Sequence, residues 1–278
     1  MSRSALSLTD AEFTRLTSII HGATGMSFGE AKRYYVERRV GDRIQRTGVS
    51  DPASYIALLA RDPTERQTLI NAFTINETYF FREEHQLRAL ADDLLPAIVA
   101  NKRPGDLVRI WSMPCSTGDE PYSIAIWLLE HWPMVDAYNV EIVGSDIDTA
   151  ALEAAAAGYF SPRALGKVSP DLIDRYFEPV QQQGRKIIDD LRESVIFTPA
   201  NLVERGSVRS QGRFDIVFCR NLLIYFDAES RDIAADNLFD ALMPGGFLAL
   251  GHSESMARIS DNFEMVRLRD AIVYRKPL

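Results

Sequence analysis

The apolar positions change their period once along the chain. Up to about residue 75 they recur at spacings of three and four, the mark of helices with one buried face. The stretch "EFTRLTSIIHGATG" predicts a helix closed by Gly22 or Gly25, and a second helix runs from about residue 28 to 47 and stops at Gly48. "SDPASYIALLARD" offers Ser50 as an N-cap with a proline in the first turn, and "PTERQTLINAFTI" repeats the device from Pro63. A longer helical stretch, "REEHQLRALADDLLPAIVANK", ends in the turn "RPGD". From residue 107 short apolar runs alternate with helical patterns: "LVRIWSM", "PYSIAIWLLEHW", "NVEIVGSDID", "ALEAAAAGYF", "RFDIVFCR", "SRDIAADNLFDALMPGG", "FLALGHS", then "FEMVRL" and "IVYRKP". This alternation predicts an α/β, doubly wound, mostly parallel sheet with helices on both faces. Residues 170–199 interrupt it and read as a helix plus a small antiparallel insertion. The expected organisation is an all-α domain over 1–75, a helical linker over 76–105 and a doubly wound domain over 106–278.

In such sheets ligands lie outside the carboxyl ends of the strands, where strand order reverses. The first β–loop–α step, "WSMPCSTGDEPYSIA", has a single glycine, Gly118, and opens its helix with Asp119 and Glu120. A pyrophosphate needs backbone N–H groups with Lys or Arg nearby, and these carboxylates would repel it. They suit a ligand with an ammonium or sulfonium and no phosphate. Asp146, at the end of the second strand, stands where nucleoside-binding folds hold ribose hydroxyls. S-adenosylmethionine (SAM) fits this chemistry better than NAD or ATP. By themselves Asp119 and Glu120 would read as first-turn capping acids; joined to "SDID" and "CRNLLIYF" at the other strand ends, they point to SAM.

Composition narrows the class. The 278 residues are 46% hydrophobic and 25% charged, enough to fill a sizeable core. Apolar runs fall short of the ~20 residues of a membrane span, and the first residues lack the apolar stretch of a signal peptide. Cys115 and Cys219 stand far apart with no metal-ligand spacing, as reduced thiols in a cytosol would. A soluble, cytoplasmic protein without a metal is expected. Net charge is −8, which disfavours nucleic acid as the main partner. The first 75 residues are nevertheless slightly basic, and the excess sits in "KRYYVERRVGDRIQR", six basic residues against two acidic.

"NETYFFRE", "WSMPCSTGDEPYSIA", "GSDID" and "FCRNLLIYF", in that order and spacing, resemble the CheR family of chemotaxis-receptor methyltransferases over nearly the whole chain. The resemblance implies SAM as cofactor, with S-adenosylhomocysteine (SAH) as product, and glutamate side chains on the cytoplasmic helices of chemoreceptors as acceptors. It also implies roles. Asn76, Thr78 and Arg82 close over SAM, with Arg82 on the methionine carboxylate. Glu120 lies near the SAM amino group, Asp146 on the ribose, and Asn201 and Leu202 at the adenine edge. Arg220 and Asn221 follow the fourth strand, and Tyr225 stands beside the transferred methyl, Tyr225 and Arg220 being the catalytic pair. Where the family has "GEEPY" this chain has "GDEPY", a shortening at Asp119 that leaves Glu120 intact.

Lys32, Arg39, Arg43 and Arg46 form a basic stripe, the arginines at i, i+4 and i+7, which the resemblance turns from a solvated face into a docking face for a glutamate-rich receptor helix. Some family members capture a receptor tether on a β-subdomain; the hairpin tip in "EPVQQQGRK" looks short, so a form that does not use the tether is expected. A monomer, without membrane insertion, is expected. The rival readings are a SAM methyltransferase with another acceptor and a non-catalytic, SAM-binding regulator that docks on receptors. A nucleotide-dependent oxidoreductase is a third, lacking GxGxxG.

Overall fold

The computed structural model describes residues 6–179 and 184–278, so the centre of the expected hairpin tip in "EPVQQQGRK" lies outside the described residues. The chain divides into two compact units: the residues up to Ile75 together with Tyr225–Ser230, and Asn76–Ile224 together with Arg231–Leu278.

The first unit is helical: α1 (Asp10–Thr24), α2 (Arg33–Thr47), α3 (Pro52–Arg61) and α4 (Pro63–Phe73). Thr9 and Glu12 form a reciprocal capping box at the start of α1, and Gly25, not Gly22, closes it. The N-cap of α3 is Asp51 rather than Ser50. Pro52 takes the first helical position, so the residue just before it becomes the cap, and the Asp51 carboxylate accepts the Ser54 N–H at 2.8 Å. Leu16, Ile20, Val36, Val40, Tyr55, Leu59, Leu69 and Phe73 form the interior. The segment 225–230 joins this unit through a bridge between Met26 and Phe226 and a His21–Asp227 contact of 2.7 Å.

The second unit opens with α5 (Glu84–Ala89), a π turn (Leu90–Leu94) and α6 (Leu95–Val99), so the long helical stretch is not one regular helix. Then come β1 (Leu107–Ser112), α7 (Asp119–His131), β2 (Asn139–Asp146), α8 (Thr149–Ala157), β3 (Tyr159–Phe160), α9 (Pro170–Tyr176), β4 (Phe177–Pro179) and β5 (Arg185–Ile187). They are followed by α10 (Asp189–Ser194), β6 (Val195–Pro199), α11 (Arg205–Arg209), β7 (Phe214–Cys219), α12 (Ala228–Ala241), β8 (Leu242–Leu250), β9 (Glu264–Arg267) and β10 (Ile272–Arg275). Among the described residues seven strands form one sheet in the order β6-β2-β1-β7-β8-β10-β9. The first five run parallel, and β10 runs antiparallel to both β8 and β9. β1 lies in the middle, β2 and β6 extend the sheet one way and β7 and β8 the other, so order reverses between β1 and β7. All six positions of β7 are buried, as a strand covered on both faces requires.

The small antiparallel sheet has the order β3-β5-β4. It takes its first strand from Tyr159–Phe160, ahead of the stretch where the insertion was expected, while Val195–Pro199 pairs in parallel with β2 in the main sheet. A strand of two residues is too short to show an alternation, which is why the pattern did not reveal it. No helix among the described residues is long and apolar enough to cross a membrane.

Candidate active site

The switch point between β1 and β7 is where the loop "CSTGDE" meets the segment after Cys219. Gly118 has φ 89°, and a Cβ there would meet Ala155, Tyr122 and Phe197 at 3.0–3.2 Å. The lone glycine of the loop therefore serves a left-handed turn and close packing of α7 on α8. The two acids behind it part company. Asp119 is 1% exposed, accepts from the Thr117 hydroxyl at 2.6 Å with one oxygen and has no partner for the other among the described residues. Glu120 accepts from the Ser112 hydroxyl at 2.8 Å and from Arg220 Nη1 at 2.7 Å. Burial pushes both carboxyls above their usual range, and for Glu120 the Arg220 guanidinium opposes it.

Arg220 is the hub. It is 6% exposed, donates from Nη2 to the Arg82 carbonyl at 2.7 Å and stands 3.4 Å from Glu83. Its Nε has no partner among the described residues. Burial alone would raise the Glu83 carboxyl, but Arg220 and His252, whose ring lies 2.8 Å away, hold it below its usual range. Sequence reading missed Glu83; its only signal was an acid directly after Arg82. The Arg82 side chain donates to the Glu77 carbonyl at 2.6 Å, and its guanidinium is 5.8 Å from the Tyr79 ring.

A second cluster forms at the end of β2. Asp146 is 3% exposed, and its two oxygens accept the Ser116 and Asp148 N–H groups at 2.8 and 2.9 Å. Burial pushes its carboxyl up to about 6 against those two hydrogen bonds. Asn76 joins both loops, donating to Asp148 at 2.8 Å and accepting from the Ser116 hydroxyl at 2.9 Å. Thr78 is half-buried two residues further on. Beyond β6, the Ala200 N–H donates to the Asp146 carbonyl at 3.0 Å, which carries Asn201 and Leu202 to the same end of the sheet. Asn201 accepts the Val203 N–H at 3.2 Å, and the Leu202 carbonyl accepts from Asn237 at 2.8 Å. Asn221, at φ 59°, follows Arg220 directly. All the residues expected on the cofactor thus fall in the second unit, whereas Tyr225 falls in the first, its carbonyl accepting the Ser27 N–H at 3.1 Å.

The basic stripe of α2 divides as well. Arg43 is tied to Glu65 by two hydrogen bonds of 2.9 and 2.5 Å, and Glu65 also accepts from the Tyr55 hydroxyl at 2.6 Å. Burial alone would raise Glu65, yet Arg43 and Tyr55 hold it low, so the Arg43 charge is matched inside the unit. Arg39 donates to the Ala72 carbonyl at 2.5 Å and stacks on Tyr35 at 3.6 Å. Arg46 and Lys32 are exposed, Lys32 lying 5.9 Å from the Phe28 ring. Arg38, not singled out from the spacing, lines with Arg39, Arg43, Arg46 and Asn71 a groove of about 380 Å³ between α2 and α4.

Among the described residues this end of the sheet gathers the carboxylates of Asp119, Glu120, Asp146 and Asp148, and the Arg220 guanidinium there is already engaged by Glu120 and faced by Glu83. The Asp146 oxygens accept the Ser116 and Asp148 N–H groups, and a carboxylate, with about four lone-pair directions, can also take a donor such as a hydroxyl. These residues fit a cationic nucleoside and not a pyrophosphate. Residues 76–272 match the family described as CheR methyltransferase, SAM binding domain, and residues 11–74 match CheR methyltransferase, all-alpha domain. The chain is 46% identical over 272 residues to chemotaxis protein methyltransferase 2 of Vibrio cholerae serotype O1, covering 97% of this chain and 94% of the relative. It is 38% identical over 274 residues to the chemotaxis protein methyltransferase of Klebsiella aerogenes, covering 97% and 90%. With chemotaxis protein methyltransferase 1 of Pseudomonas aeruginosa it shares 34% over 280 residues, 97% and 99% of the two chains.

Proposed function

The chain belongs to the CheR methyltransferase family and carries its SAM-binding domain, and from that premise we propose that it transfers the SAM methyl group to glutamate side chains on the cytoplasmic helices of chemoreceptors, giving methyl esters in chemotaxis. The observation that carries this reading is the Arg220–Glu120 pair at the switch point, set among the carboxylates of Asp119, Asp146 and Asp148. SAM supplies a methyl group activated by a sulfonium. The acceptor glutamate is already ionised near neutral pH, its free pKa being ~4.3, so no general base is needed. The protein's task is to position two opposite charges and exclude water as they neutralise. Asp146 receives the ribose hydroxyls, Asn201 and Leu202 the adenine edge, and Glu120 the amino group. Asn76, Thr78 and Arg82 close over the methionine portion, with the Arg82 fork on its carboxylate. Arg220, Asn221 and Tyr225 orient the reacting groups. Arg39, Arg46 and Lys32 offer the receptor helix positive charge that Arg43, engaged by Glu65, does not.

Calorimetry should give a micromolar or tighter Kd for SAH and no measurable NAD binding. Tritiated SAM with receptor cytoplasmic fragments should put label on glutamates as alkali-labile esters. NAD binding as tight as SAH, or label that survives alkali, would overturn the proposal.

Affinity should also depend on pH in a defined direction. In the free protein Asp146 titrates at about 6, raised by burial. A ribose hydroxyl donating to it favours the ionised form, so binding expels a proton in the window around that value. SAH affinity should therefore be full above pH 7 and weaken as pH falls through 6, by up to about tenfold per unit. Glu120, also raised by burial and assigned to the amino group, acts in the same direction. For the ligand-free fold the sign is opposite: because Asp146 holds its proton more tightly folded than unfolded, it contributes less stability as pH rises from about 4 to about 6. Affinity constant within twofold between pH 5.5 and 8 would remove Asp146 from the ribose.

A further inference from the structure

The loop that carries Arg220 and Asn221 is held by a residue outside every motif singled out above. After β7 the chain turns through Asn221 in the left-handed region, φ 59°. The turn leaves the N–H groups of Asn221 and Leu223 pointing away from the sheet ladder, and both end on one side chain, Glu254. Asn221 N–H donates to Glu254 Oε2 at 2.7 Å and Leu223 N–H to Oε1 at 2.8 Å. Gly251 N–H, from the loop after β8, donates to the same Oε2 at 2.9 Å. The two loops approach so closely that a Cβ at Gly251 would lie 2.6 Å from Asn221 Nδ2, 2.8 Å from Glu254 Oε2 and 3.0 Å from the Asn221 backbone nitrogen. The same loop reaches Arg220 by another path, because the His252 ring contacts Glu83, which faces Arg220.

We propose that Glu254 is a positioning residue for the methyl-transfer site: its carboxylate gathers the N–H groups of the β7 and β8 loops and so fixes the backbone from which Arg220 and Asn221 project. This rests on the reading of Arg220 and Asn221 as site residues. A carboxylate is suited to the task because it is acceptor-only, with two oxygens and about four lone-pair directions. The three convergent N–H donors fill three of these, two on Oε2 and one on Oε1. A glutamine has one acceptor oxygen and an amide that would point hydrogens at an N–H. The non-glycine left-handed residue costs energy by itself, and the two hydrogen bonds flanking it supply the compensation. Gly251 is the complementary half of the device, admitting the carboxylate where any side chain would displace it.

The experiment compares Glu254→Gln, Glu254→Asp and Gly251→Ala with wild type. Each is measured well below its Tm for kcat, KM for SAM, SAH affinity, and amide hydrogen exchange at Asn221 and Leu223 without ligand. Glu254→Gln and Gly251→Ala should each lower kcat about tenfold or more, the scale of one hydrogen bond to a charged group, and speed exchange at Asn221 and Leu223. Glu254→Asp, which keeps the carboxylate, should retain more activity than Glu254→Gln. A purely structural role would lower Tm but leave kcat and SAH affinity of the folded fraction unchanged, and that result overturns the proposal. If Glu254→Gln does not fold, Gly251→Ala, which removes no polar group, decides by the same readouts. Unchanged exchange at both amides refutes the clamp whatever the acceptor, whereas a wild-type protein that binds no SAH refutes the functional reading itself.

Discussion

Replacing Arg220 with methionine should lower the unfolding temperature by roughly 10 °C and abolish methyl transfer. Arg220 is 6% exposed and faces Glu120 at 2.7 Å and Glu83 at 3.4 Å. Removing one partner of a buried ion pair leaves the other charge uncompensated and typically costs about 3–5 kcal/mol. In a unit of this size each kcal/mol shifts the midpoint by about 2–4 °C. The sign with pH follows from the partners. Without the guanidinium, burial is opposed only by the Ser112 hydroxyl at Glu120 and by His252 at Glu83, so both glutamates take up protons more readily. The stability gap between variant and wild type should therefore narrow as pH falls from 8 towards 5. Adding Glu120→Gln to Arg220→Met should recover part of the stability, because one orphaned carboxylate disappears, but no transfer. Thermal scans of both variants at two pH values check this. A single variant that melts within about 1 °C of wild type would mean that the pair is not held as the structure has it.

Reversing Arg39 and Arg46 to glutamate should suppress receptor methylation at least tenfold while leaving SAH affinity within about twofold. Both arginines line the groove between α2 and α4. They belong to the helical unit, whereas every residue assigned to the cofactor belongs to the other, so the two effects should be close to independent. A glutamate-rich receptor helix would meet like charge there, which slows encounter and costs register. Raising salt should reproduce part of the loss in wild type, since exposed charges are screened beyond ~8 Å at physiological ionic strength. Arg39→Glu also gives up its bond to the Ala72 carbonyl and its stacking on Tyr35, a loss of about 1 kcal/mol that the fold can bear. Arg43 is the wrong residue for this test. Its two bonds to Glu65 mean that Arg43→Ala should destabilise the helical unit by about 3 kcal/mol and depress every activity together. Wild-type methylation by the double reversal would leave α2 as a solvated face and move receptor recognition elsewhere.

The apolar periods alone were enough for the helical module and for the alternating sheet apart from β6, which was expected in the insertion. These features rest on which face of each element is buried, and that is written locally, in spacings of two or of three and four. The motifs "CSTGDEPYSIA" and "CRNLLIYF" likewise announced SAM chemistry, because carboxylates at several strand ends together disfavour a pyrophosphate. The fate of individual charges was not legible. Arg43 read as part of a docking stripe, yet it is bound to Glu65, 22 residues away. Glu120 read as a free acid for a ligand cation, yet it holds Arg220 across 100 residues of chain. Glu254 belonged to no motif and gathers three N–H groups from two loops. An ion pair or a hydrogen bond exists only within a few ångströms and depends on direction. Periodicity settles which side of a helix faces inward, but only the packed arrangement of distant elements decides which two charges meet there.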